Sequence, residues 1–159
     1  MTARRATRAR GARERTSRYS VVSAKPVVVD ASIAFLWFAN EPDPCDAARL
    51  LEAEVLLLAP DLMVVETANA WWKKLRRREM DLADVEQAVT NLLAVGINWT
   101  SSAELVRPAA RLASELGHPV YDCVYLTLAA TRAASLATAD VRLRRGAERV
   151  GVPVWRARA

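Results

Sequence analysis

The sequence predicts a three-layer α/β/α fold with a mostly parallel central sheet. Short apolar segments with strand character alternate along the chain with longer stretches of helical pattern. The first such segment, Val27–Val29, is β-branched and apolar throughout, as expected of a strand that is buried on both faces. Strands separated by helices pair in parallel through right-handed crossovers, so that helices cover both faces of the sheet.

The predicted elements follow one another with clear boundary signals. Pro60 and Asp61 end the second strand, Asp81 introduces the fourth helix, and Gly117 ends the fifth. The predicted strands are 27–29, 55–59, 97–100, 135–138 and 153–155. The predicted helices are 33–39, 45–54, 62–78, 82–95, 102–116, 119–134 and 141–150.

Charge is distributed unevenly along the 159-residue chain. Residues 1–26 carry eight basic side chains and one acidic side chain, a net of +7, whereas the rest carries 15 basic and 17 acidic, a net of −2. We therefore interpret residues 1–25 as a flexible basic N-terminal extension and residues 26–159 as the folded domain. The extension could contact RNA phosphates, but its charge does not indicate that the fold itself binds nucleic acid.

Several classes of site are excluded by the residues that are rare. One histidine and two cysteines cannot complete a His/Cys zinc site, and the cysteines form no CxxC pair, which favours free thiols in a reducing cytoplasm. No apolar run approaches the roughly 20 residues that span a bilayer, so we expect a cytoplasmic protein without membrane contact. The phosphate-binding motifs GxGxxG and GxxxxGK[ST] do not occur.

Four acidic residues are candidates for the carboxyl edge of the sheet, where open α/β folds bind ligands. Asp30 directly follows the first strand and Asp140 follows the strand at 135–138, although each could simply cap a helix. Glu66 lies inside an apolar helical segment, where it needs a cation or a partner such as Lys73. Asp122 lies in a first helical turn, which the helix dipole alone could explain.

Together these carboxylates predict a divalent cation site. Clustered anions repel one another, and a hard cation such as Mg²⁺ or Mn²⁺ relieves that repulsion best, because it prefers oxygen ligands and retains waters. Such an ion can activate a water and neutralise charge on a phosphate. The acids therefore favour phosphodiester hydrolysis.

The segments that contain the acids occur in the order VVVDAS (27–32), PDLMVVETAN (60–69), YDCVYL (121–126) and LATAD (136–140). In this order they resemble the PIN-domain ribonucleases, specifically VapC-type toxins of toxin–antitoxin pairs, from about residue 27 to 155. The resemblance implies a PIN-like sandwich and an Mg²⁺- or Mn²⁺-dependent endoribonuclease that cuts RNA, is inhibited by a cognate antitoxin and forms a homodimer. The implied catalytic and metal-binding residues are Asp30, Glu66, Asp122 and Asp140, and the implied neighbours of the cation or its waters are Ser32, Asn69 and Thr138.

Two other functions remain open. A catalytically inert PIN-fold module could act through RNA or antitoxin contacts alone, although the complete set of acids argues against it. A phospho-acceptor receiver domain also gathers acids at a sheet edge. It needs a lysine after a late strand, however, and the lysines here are Lys25, Lys73 and Lys74.

Several further residues have both a functional and a structural interpretation. The segment Trp71–Arg78 could hold RNA through aromatic and basic side chains, but packed tryptophans and dipole-favoured cations explain it more simply. The apolar segment 33–38 could receive a partner helix, and inward packing is again simpler. We predict a turn position for His118, core positions for Tyr121 and Tyr125, and a buried, unreactive thiol for Cys123.

Overall fold

The centre of the fold is a parallel β-sheet. The computed structural model describes residues 24–39, 41–43 and 45–157, so most of the predicted N-terminal extension lies outside the described residues. Within those ranges the strands are β1 (Lys25–Val29), β2 (Val55–Pro60), β3 (Asn98–Thr100) and β4 (Ser135–Ala137), in the spatial order β3-β2-β1-β4. Val28 lies opposite Leu58 of β2 and Leu136 of β4. Because all pairs are parallel, the carboxyl ends of β1 and β4 lie side by side.

Helices connect the strands and cover both sides of the sheet. In the described part of the chain they are α1 (Ala31–Phe38), α2 (Ala47–Glu52), α3 (Leu62–Arg76), α4 (Leu82–Ala94), α5 (Ser102–Leu116), α6 (Val120–Thr131) and α7 (Val141–Arg149). Helix α1 packs with α2, α3 and α4, while α6 packs with α5, α7 and strands β1, β2 and β4. The predicted three-layer α/β/α sandwich is confirmed.

The core is densest around β1 and α6. Val27, Val28 and Val29 are each at most 1% exposed, as expected of a central parallel strand. Helix α6 is buried without interruption from Cys123 to Ala129, so its sequence lacks the usual amphipathic period. Side chains on α6 therefore face protein in most directions, and Asp122 in its first turn is partly shielded from water.

Most predicted elements agree with the structure to within two residues at each end, and the largest differences concern three of them. The strand at 153–155 is a single parallel bridge between Leu136 and Val154, and Pro153 has no N–H with which to extend so short a segment. The helix predicted from Cys45 begins only at Ala47, because Asp46 takes the left-handed conformation with φ of 51°. The helix predicted at 119–134 ends at Thr131, before β4 begins. None of the helices among the described residues is long and apolar enough to cross a bilayer.

Candidate active site

Asp30 lies at the junction of β1 and α1 and is only 7% exposed. Its Oδ2 accepts hydrogen bonds from Ser32 Oγ at 2.5 Å, from Thr138 Oγ1 at 2.8 Å and from the Ser32 backbone N–H at 3.4 Å. The last of these bonds caps α1, so the interpretation of Asp30 as a helix cap is confirmed. All three bonds converge on one oxygen, and Oδ1 receives none of them.

Thr138 and Ser32 tie the loop after β4 to the start of α1. Thr138 Oγ1 accepts from the Asp140 backbone N–H at 3.0 Å, and Ser32 Oγ accepts from the Ala139 N–H at 2.9 Å. Asp140 itself caps α7, since its Oδ1 accepts from the backbone N–H of Arg142 at 2.6 Å. The two acids that follow the strands are thus joined through one hydroxyl group, that of Thr138.

Glu66 is half-buried on α3 and is bound from the opposite helix layer. Its Oε2 accepts a hydrogen bond from the Tyr125 hydroxyl of α6 at 2.5 Å. Glu66 forms no ion pair with Lys73 or with an arginine among the described residues, so the alternative in which a basic residue neutralises it is wrong. Burial raises the pKa of Glu66, the charges of Asp30 and Asp122 raise it further, and the bond from Tyr125 opposes them.

Asp122 lies in the first turn of α6 beside a buried histidine. His118 Nδ1 is 3.7 Å from Asp122 Oδ2, and the histidine side chain is only 8% exposed. The prediction of a turn position for His118 therefore missed its burial. Gly146 of α7 packs against the ring, since a Cβ built there would lie in van der Waals contact with His118 Cε1, at 3.4 Å. Burial raises the pKa of Asp122, the charge of Asp140 raises it further, and His118 opposes both.

The four acids are therefore linked by electrostatic repulsion across the end of the sheet. Burial also raises the pKa of Asp30, against the hydrogen bonds from Ser32 and Thr138. The repulsion joins Asp30 and Asp122 to Glu66, and Asp140 to Asp122. Within the described ranges, no three His, Cys, Asp or Glu side chains are close enough to form a complete metal centre. Mg²⁺ does not require three such side chains, because proteins usually bind it through one or two carboxylates while it keeps several waters.

The sequence analysis missed the role of Tyr125. Tyr125 is 1% exposed, as predicted for a core residue, yet its hydroxyl binds Glu66. The available signal was its position three residues after Asp122, on the same face of α6. Tyr121, also predicted as core, is 52% exposed in the first turn of α6. Asn69 is exposed on α3, one turn beyond Glu66.

The fold has counterparts in known proteins. The family model described as "PIN domain" matches residues 27–149, which is most of the chain. The chain belongs to the PIN-domain family. This PIN domain is 31% identical over 120 residues to Ribonuclease VapC3 of Pyrobaculum aerophilum, a match that covers 74% of this chain and 91% of that protein. The VapC-type resemblance inferred from the motifs is thereby confirmed.

Two solved structures share the fold of this PIN domain. The crystal structure of PAE2754 from Pyrobaculum aerophilum has a TM-score of 0.63 and 23% identity, and the match covers 82% of this chain and 87% of that one. The crystal structure of VapC20 from Mycobacterium tuberculosis, described as a sarcin–ricin loop cleaving toxin, has a TM-score of 0.61 and 17% identity, with 82% and 99% covered. At these identities the similarity concerns the fold.

Proposed function

We propose that this PIN domain is an endoribonuclease toxin that hydrolyses phosphodiester bonds in RNA with the help of Mg²⁺ or Mn²⁺ and is inhibited by a cognate antitoxin. The observation that carries the proposal is that carboxylates from four separate segments lie at one end of the sheet. Thr138 Oγ1 joins Asp30 to the backbone of Asp140, and the charges of Asp30 and Asp122 act on Glu66. A protein retains such an arrangement at a cost in stability, and a bound divalent cation removes that cost. The match to a VapC ribonuclease supports the choice of RNA as substrate.

The catalytic and metal-binding residues that we propose are Asp30, Glu66, Asp122 and Asp140. Asp30 is the strongest candidate for direct binding, because Ser32 and Thr138 hold it through Oδ2 and their hydrogen bonds favour its charged form. Ser32 and Thr138 therefore act by orienting Asp30, and Asn69 is proposed only as a contact to the cation's waters. A bound cation would lower the pKa of a water and neutralise charge on the phosphodiester group.

We propose that Tyr125 positions Glu66 in the acidic site. Its hydroxyl donates to Glu66, and burial, followed by the charges of Asp30 and Glu66, keeps its pKa far above the ordinary value. Tyr125 therefore remains a protonated donor at any working pH. It fixes Glu66 in the acidic site without taking a proton from it.

Further parts of the proposal concern partners and chain organisation. We propose RNA and a cognate antitoxin as partners, a homodimer as the assembly, and the cytoplasm as the location, in keeping with the VapC-type family and the free thiols of Cys45 and Cys123. We also retain residues 26–159 as the PIN domain and residues 1–25 as a basic extension.

Cleavage of RNA should depend strictly on a divalent cation. Purified full-length protein incubated with total cellular RNA and Mn²⁺ is expected to give discrete cut ends, mapped by sequencing. EDTA should abolish the cuts and excess Mn²⁺ should restore them, because ionised carboxylates alone repel the phosphate. Cleavage that persists in EDTA would contradict the proposed metal dependence, and RNA binding without any cleavage would favour an inert binding module.

A further inference from the structure

A groove of about 300 Å³ lies between α1 and the C-terminal half of α3. Its lining residues are Ala31, Ser32, Phe35, Ala70, Lys73, Lys74 and Arg77. The floor is formed by small and aromatic side chains, and the far rim is cationic. We call it the α1–α3 groove.

One end of the α1–α3 groove adjoins the acidic site. Ser32, which lines the groove, donates to Asp30 Oδ2 at 2.5 Å. On α3, Glu66 is followed by Ala70, Lys73 and Arg77 at spacings of four, three and four residues, which places them along one stripe of the helix. At a rise of 1.5 Å per residue, the two cations lie about 10 and 16 Å along the helix axis from Glu66. The stripe therefore runs from the acids to the basic rim.

The basic rim has two cations that carboxylates do not neutralise. Lys74 Nζ binds Glu41 and also Glu79, the latter at 2.6 Å, so its charge is already balanced. Lys73 and Arg77 are exposed and form no salt bridge with any residue in the described ranges. The hydrogen bond from Lys74 lowers the pKa of Glu79 most, and the charge of Arg77 adds to this effect without a salt bridge.

These charges contrast with the rest of the folded domain, whose net charge from residue 27 onward is −2. Lys73 and Arg77 lie beside the proposed acidic site and form no salt bridge with the residues that the structure describes. A nucleic-acid strand carries one negative phosphate per nucleotide, so it could bind both cations while one of its phosphates reaches the acids. Phe35 and Ala70 offer an apolar floor on which an unpaired base can lie, and stacking on aromatic side chains is tolerant of base identity. Single-stranded RNA fits both features.

We infer that the α1–α3 groove is the substrate track, in which Lys73 and Arg77 bind backbone phosphates of single-stranded RNA next to the bond that is cut. This inference rests on the proposed ribonuclease function and adds to it the path of the strand. Lys73 and Arg77 are binding residues in this scheme, and the acids alone carry out the chemistry.

The test is RNA binding by full-length protein whose cleavage is blocked by Asp30→Asn. A fluorescein-labelled oligouridine serves as the probe, and anisotropy in Mg²⁺ is measured over a range of salt concentrations. Lys73→Ala/Arg77→Ala should weaken binding about tenfold and reduce the slope of log K against log[salt] by about 1.4, since each single-strand phosphate contact contributes about 0.7. Lys73→Arg/Arg77→Lys, which keeps both charges, should retain the binding and the slope.

The matched control is Arg107→Ala/Arg111→Ala, which removes two exposed cations at the same i, i+4 spacing from α5, outside the groove. The control should keep the salt slope, and circular dichroism should show that all variants are folded. An equal loss in both double variants would overturn the inference, because the effect would then come from net charge alone. So would a Lys73/Arg77 variant that cuts and binds RNA normally but escapes its antitoxin, since the groove would then hold a protein.

Failure of this inference is distinguishable from failure of the proposed function. If the unmodified protein cuts RNA and the Lys73/Arg77 variant does so with unchanged KM, the substrate track is wrong and the ribonuclease stands. If the unmodified protein cuts no RNA, the proposed function fails, and the salt slopes still decide whether the groove binds a single strand.

Discussion

Replacing Asp30 with Asn is expected to reduce RNA cleavage about a thousandfold or more, since loss of a cation ligand removes several kcal/mol of transition-state stabilisation. The side chain keeps its shape, so the cap on α1 can be retained. Ser32 and Thr138 hold the Asp30 side chain in place by hydrogen bonds, and Asp30 is the one buried acidic residue in the described part of the chain. Initial rates on a labelled RNA in Mn²⁺ measure the effect.

The control for Asp30→Asn is the same chemical change at an exposed acid. Asp46 makes no capping hydrogen bond and has a left-handed backbone that asparagine adopts readily. Asp46→Asn should leave the rate unchanged. Undiminished cleavage by Asp30→Asn, or an equal loss in both variants, would show that Asp30 does not carry the reaction.

Asp30→Asn should also stabilise the metal-free protein near neutral pH. Burial raises the pKa of Asp30, so the native state binds this proton more tightly than the unfolded chain does. The free energy of unfolding therefore falls as pH rises from the ordinary value of about 4 through the raised pKa, and the loss is complete above it. Thermal unfolding in EDTA, measured over this pH range, should show that Asp30→Asn loses less stability with rising pH than the unmodified protein does. If stability depends on pH in the same way in both proteins, this expectation is contradicted.

Replacing Trp71 with Ala should lower the free energy of unfolding by about 3–5 kcal/mol, a large share of the stability of a single domain. Trp71 is fully buried on α3, and its ring meets Phe38 of α1 edge to face, with ring centroids 6.2 Å apart. This contact holds together the helices that carry Ser32 and Glu66. Urea unfolding, with the slope against denaturant compared between proteins, measures the loss.

Trp71→Phe separates packing from hydrogen bonding at this position. The indole Nε1 is buried without a hydrogen-bond partner among the described residues, so phenylalanine removes a poorly satisfied polar group and keeps an aromatic ring. We expect Trp71→Phe to retain most of the stability and of the cleavage activity. A loss below about 1 kcal/mol for Trp71→Ala would mean that the α1–α3 contact is not central to the fold.

The fold was predictable because its local signals agree with its topology. Val27–Val29 is apolar on both faces, and the structure places it at the centre of a parallel sheet. The positions of Asp30 and Asp140 followed from the same reasoning, since residues after parallel strands meet at one edge. The sequence could not show that the segment 153–155 forms only a single bridge, because the number of residues that pair there depends on how the segment lies against β4.

Burial of individual side chains was less predictable than the elements that carry them. Trp71 and Trp72 are adjacent in sequence, yet the first is buried and the second is 46% exposed, with Arg76 stacked over its ring at 5.4 Å. The His118 side chain is only 8% exposed because it packs against α7 near Gly146, which is distant in sequence. The hydrogen bond between Tyr125 and Glu66 joins residues 59 positions apart in the sequence, and no local pattern encodes such a contact.

The most direct measurement is a calorimetric titration of the metal-free protein with Mn²⁺. If carboxylates from separate segments hold one cation, Mn²⁺ should bind the unmodified chain, and both Asp30→Asn and Asp122→Asn should weaken that binding at least about tenfold. Asp46→Asn should bind as the unmodified chain does. Equal affinity in all four proteins, or no binding to any of them, would contradict a shared cation site at the end of the sheet.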